Sequence, residues 1–79
     1  MAFSHQEKTA LLALKGVGPT VIQRLEQLGI HSLDELARHE VDDITGQVAA
    51  MLGSSCWKNS PQARASIAAA IALARSRPA

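Results

Sequence analysis

Leu14-Lys15-Gly16-Val17-Gly18-Pro19-Thr20 is the stretch that decides the fold. Two glycines flank one apolar residue, and a proline follows where a new helix would begin. Glycine accepts the positive φ values and close backbone approaches that a tight helix-to-helix turn requires. Pro19 suits the first helical position, where an N–H has no intrahelical acceptor. The pattern predicts a sharp turn that points free amide donors outward at a helix N-terminus. Such a terminus attracts anions, above all phosphate.

Helices are predicted on both sides of this turn. Ser4, with Glu7 three residues on, is a capping box that opens a first helix running to Lys15-Gly16, with Phe3, Leu11 and Leu14 inward. Val21, Ile22, Leu25 and Leu28 fall on one face of a second helix, Pro19 to about Leu28, with Gly29 just past its end. Ser32-Leu33-Asp34-Glu35 reads as another capping box, opening a short helix to about His39. A fourth helix from about Asp42 to Leu52 turns Val41, Ile44, Val48 and Met51 or Leu52 to one side. Gly53 to Asn59 is predicted as a loop. Ser60-Pro61 then starts a last helix to about Arg75, burying Ala63, Ile67, Ala70, Ile71 and Ala74, with Pro78 as its stop. The expected fold is all-α: a compact bundle of about five short helices in one domain, residues 1–79, ordered as pair, connector, pair.

Gly16-Val17-Gly18-Pro19 with Leu25 and Leu28-Gly29-Ile30 resembles the helix-hairpin-helix motif, whose usual role is to grip a nucleic-acid backbone without reading its sequence. The five-helix order resembles the tandem, SAM-like form of that fold. Gly18-Pro19, Leu28-Gly29-Ile30 and Cys56 together resemble the small bacterial pathogenicity-locus family, some members of which are labelled mitomycin resistance proteins. The C-terminal domain of the competence regulator TfoX is a second resemblance. These likenesses imply a small non-enzymatic protein binding DNA or another nucleic acid through phosphates, in a DNA-related pathway. The implied donors are the amides of Gly16, Val17, Gly18 and Thr20. Lys15 would add a point charge, and Arg24, a turn into the helix, would reach a second phosphate. Contacts of this kind position a strand but carry no sequence information, and one module binds weakly, at roughly 10⁻⁴ to 10⁻⁶ M. Two positions depart from the motif. Thr20 stands where binding examples carry Lys or Arg, and Ile22 where they carry a small residue. Ile22 implies either a wider helix pair or a repacked core.

Composition bounds the alternatives. The chain has 79 residues, is 47% hydrophobic, and has only Phe3 and Trp57 as aromatics, so the core is aliphatic. Net charge is +1, but it is unevenly placed. Lys8, Lys15 and Arg24 face Glu7 alone in the first part. The middle sets Glu26, Asp34, Glu35, Glu40, Asp42 and Asp43 against Arg38, and the end holds Lys58, Arg64, Arg75 and Arg77 with no acid. A basic face is expected if the two ends fold together, with the acidic middle on the other side. The basic last helix would then aid the grip.

Enzymatic chemistry finds no support in these residues. Ser54, Ser55 and the histidines form no nucleophile–base pattern, and Asp34-Glu35 and Asp42-Asp43 are helix-start acids. His5, His31 and His39 lack metal spacing and Cys56 is single, so no metal, cofactor or internal disulfide is expected. Glu7 and Lys8 interrupt the start, and the longest apolar run, Ile67 to Ala74, is too short to span a membrane. A reduced, cytoplasmic protein with no membrane partner is the expectation. Cys56-Trp57 is expected to pack into the core. The alternative function is a protein-interaction module or homodimer. There the turn is only structural, and Trp57 or the alanine-rich face of the last helix makes the contacts.

Overall fold

In a computed structural model, which describes residues 3–76, the chain is an all-α bundle with six helices and no strand among the described residues. They are α1 (His5–Leu12), α2 (Pro19–Gln27), α3 (Leu33–Leu36), α4 (Val41–Leu52), α5 (Cys56–Asn59) and α6 (Pro61–Ser76). α1 packs on α2, while α6 receives α3, α4 and α5. Leu11, Leu25, Leu36, Ile44, Val48 and Ile67 are fully buried, with Phe3 the one aromatic residue of the core. None of the helices among the described residues is long and apolar enough to cross a membrane. Arg77 and Pro78, expected to end the last helix, lie outside the described residues.

Local signals set most helix starts. Ser4 Oγ accepts from the Glu7 amide at 3.2 Å, and Glu7 Oε1 accepts from the Ser4 amide at 3.1 Å, closing the capping box. The second Glu7 oxygen, Oε2, accepts from the Leu33 amide at 2.8 Å. One carboxylate therefore caps α1 and ties it to the start of α3. Ser32 caps α3 by accepting from the Glu35 amide, and Ser60 caps α6 by accepting from the Ala63 amide. At the end of α2, the Ile30 amide donates to the Leu25 carbonyl and the Gly29 amide to that of Glu26. This Schellman arrangement brings Ile30 and Leu25 into the core together.

Several ends fall elsewhere than the local pattern predicts. α1 stops at Leu12 and not at Lys15, because the chain tightens: Leu14 donates to the Leu11 carbonyl and Val17 to that of Leu14. α3 stops at Leu36, and the departing carbonyls of Ala37 and His39 accept from Arg75 on α6. The segment expected as a loop contains α5, which packs against both α4 and α6. There Cys56 is exposed, while Trp57 is half-buried against the core. Met51 and Leu52 are also turned outward, at 40% and 41% exposure, so the buried stripe of α4 ends at Val48. Ser66 joins the buried face of α6, and Ala63 is only half-buried.

Charge placement differs from expectation for a clear reason. Three of the basic residues from the chain ends, Lys8, Arg64 and Arg75, reach into the acidic middle, whereas Lys15 and Lys58 pair with no carboxylate among the described residues. Arg64 pairs with Asp42, Arg75 with Glu40 at 2.9 Å, and Lys8 with Glu26 at 3.8 Å. Glu26 also accepts from the Phe3 amide, which fastens the start of the chain to α2. The opposite-sign segments become cross-ties between helices.

Candidate nucleic-acid interface

The turn between α1 and α2 occupies residues 13–18, and only one of its two glycines has special geometry. Gly16 has φ +87°, which favours glycine. Gly18, with φ −121° and ψ −178°, is ordinary extended backbone serving as the N-cap of α2, with Pro19 in the first turn. A Cβ on Gly18 would meet no atom within 4 Å, whereas one on Gly16 would sit 3.4 Å from Ser66 Oγ. That hydroxyl lies 2.6 Å from the Gly16 carbonyl and 2.9 Å from the Gln62 carbonyl, and it shares its single proton between them. The turn is thus fastened to a helix 50 residues away.

Backbone donors sort into used and unused. The Val17 amide donates to the Leu14 carbonyl at 3.2 Å, and the Val17 side chain is buried at 6% exposure. Val17 is therefore a core and turn residue, not one of the open donors that the pattern led us to expect. Val21 and Ile22 both donate to the Gly18 carbonyl, so the helix starts its own ladder there. The amides of Gly16, Gly18 and Thr20 donate to no protein acceptor among the described residues. Gly16 and Thr20 are exposed and Gly18 is half-exposed, so these donors are within reach of a ligand. α2 carries no acid in its first turn, which leaves its positive end uncompensated.

Among the side chains, Lys15 is exposed and pairs with no carboxylate among the described residues. Arg24 does not join it. Its Nη1 donates to Gln27 Oε1 at 2.9 Å, one turn further down α2, so the guanidinium is drawn away from the turn. Its Nε is buried without a partner. Arg64 and Arg75 are engaged in their ion pairs and do not extend the interface. Ile22 is buried, and with Lys8, Leu12, Pro19, Gln23 and Glu26 it lines a groove of about 140 Å³ between α1 and α2.

Beside the turn opens a second, wider cleft of about 410 Å³, lined by Lys15, Gly16, Gln62, Ala65 and Ser66. Sequence reasoning missed Gln62 and Ser66. One signal pointed to Ser66: it sits at four-residue spacing with Ala70 and Ala74, a hydroxyl on an otherwise apolar stripe. No group of three or more His, Cys, Asp or Glu among the described residues is arranged to hold a metal ion. Compared with family models, curated proteins and solved structures, the chain matches none.

Proposed function

We propose that this is a small non-enzymatic protein of the helix-hairpin-helix kind that grips the phosphate backbone of DNA or another nucleic acid, weakly and without reading sequence. The observation that carries the reading is the exposed turn itself, where the Gly16, Gly18 and Thr20 amides lack acceptors beside an unpaired Lys15. Oriented amides at a helix N-terminus plus one cation suit a phosphate, and they offer nothing that distinguishes one base from another. The likeness to the pathogenicity-locus family and a cytoplasmic location belong to the same proposal. Val17 and Arg24 drop out of the binding set, since their donors are spent or turned away.

The test is an NMR titration with short single-stranded and duplex DNA at two salt concentrations. Amide shifts at Gly16, Gly18 and Thr20 that shrink as salt rises are expected. Lys15→Glu should weaken binding to every sequence about equally. Hairpin amides that stay unmoved at millimolar DNA overturn the reading. A second reading, a protein-interaction module, draws on the outward Met51 and Leu52 at the end of α4. It calls for concentration-dependent association, or for partner-induced quenching of Trp57 with the hairpin amides silent.

A further inference from the structure

The cleft beside the turn has a composition that the turn alone does not explain. Lys15 and Gln62 are its exposed polar side chains, and no carboxylate lines it. Gln62 projects from the first turn of α6, and its side-chain amide has no partner among the described residues. The backbone amide of Ala63 is already capped by Ser60, so the side chain of Gln62, not the helix end, is what the cleft offers. Ser66 holds the two walls together through the Gly16 carbonyl. Cleft and turn are therefore tied to each other.

Resting on the phosphate-grip reading, we infer that this cleft seats the next phosphate of the same strand, held by the Gln62 side-chain amide, with the Lys15 ammonium shared between it and the phosphate at the turn. Gly16 lines the cleft and Gly18 caps α2, and two residues of chain span at most about 7 Å. Neighbouring phosphates of one strand then meet the two parts of the site in turn. The cleft contains no aromatic side chain on which a base would stack, so its chemistry suits sugar and phosphate. Gln62 adds a neutral hydrogen bond, whereas Lys15 adds a charge. These two contributions respond differently to salt.

The experiment measures DNA affinity against salt for the wild type, Gln62→Ala and Lys15→Ala, and follows the Gln62 side-chain amide by NMR. Gln62 is exposed, and its backbone carbonyl, the part that Ser66 uses, survives the change to alanine. Gln62→Ala should weaken binding roughly threefold to tenfold with an unchanged salt slope. Lys15→Ala should lower the slope by about 0.9 on duplex DNA and about 0.7 on a single strand. Wild-type affinity in Gln62→Ala, with the hairpin amides still shifting, overturns this inference and leaves the phosphate grip standing. Silent hairpin amides in the wild type remove both. Inorganic phosphate is the third probe: if it moves the Gln62 amide as tightly as DNA does, the cleft is a free-anion site and the strand assignment fails.

Discussion

Gly16 and Gly18 look equivalent in the sequence, and the structure separates them sharply. Gly16→Ala forces a side chain into the left-handed region at φ +87°. That costs about 1–2 kcal/mol. The new Cβ sits 3.4 Å from Ser66 Oγ, at the edge of ordinary van der Waals contact, so the backbone strain is the main cost. A loss of about 1–2 kcal/mol lowers the melting temperature of a domain this size by about 4–16 °C. Gly18→Ala meets no neighbour and keeps an extended backbone. Its loss of a good N-cap is offset by reduced freedom in the unfolded chain, leaving a net effect within about 0.5 kcal/mol.

Thermal and urea unfolding followed by far-UV circular dichroism measure both changes. Repeating Gly16→Ala in a Ser66→Ala background isolates the contact from the backbone strain, and only the strain should remain. Equal losses from the two glycines, or an unchanged melting temperature for Gly16→Ala, would refute the assignment of the turn's special geometry to Gly16.

Further perturbations test the ties between helices. Glu7→Ala should cost more than Ser4→Ala in urea unfolding, because the carboxylate caps α1 and also accepts from Leu33. The Ser4 change is worth about 0.5–2 kcal/mol, and each bond to the charged group about 1.5–3 kcal/mol. Arg75→Lys should lose about 1 kcal/mol by breaking the fork on the Ala37 and His39 carbonyls, while Asp42→Asn should lose under about 0.5 kcal/mol because that pair is open to water. Leu11→Ala should cost about 2–5 kcal/mol, and Leu12→Ala close to nothing, since the first is 0% and the second 46% exposed.

What was legible in the sequence was what is local. Ser4 with Glu7, Pro19 after Gly18, and Ser60 before Pro61 each mark a helix start through residues within one turn of each other, and each start falls where it was expected. The end of α1 was not legible, because Ala13 and Leu14 favour helix and what tightens the chain there is a turn pinned to α6. α5 exists only between α4 and α6, so its four residues carry too weak a signal alone. In the candidate site, the open amides of Gly16, Gly18 and Thr20 are those the motif implies. The spent amide of Val17 depends on turn type, and Gln62 and Ser66 depend on a contact across 50 residues.

The same long-range contacts set the salt dependence expected of the proposed interface. A basic face assembled from both chain ends would have given several phosphate contacts and a steep salt dependence. Instead Lys8, Arg64 and Arg75 are bound to Glu26, Asp42 and Glu40, and Arg24 to Gln27, leaving Lys15 as the one free cation described at the turn. With net charge +1 there is no strong overall field to add to it. One neutralised phosphate gives a slope near −0.9, so a rise from about 50 to 200 mM salt should weaken duplex binding only about three- to fourfold. A protein with six or more such contacts loses about a thousandfold or more over that range. A steep slope measured here would mean that more cations join the contact, either Lys58, which pairs with no carboxylate among the described residues, or an Arg64 that has left Asp42 to meet the DNA. Asp42→Asn tightens binding in the second case, whereas in the first it should leave the affinity unchanged.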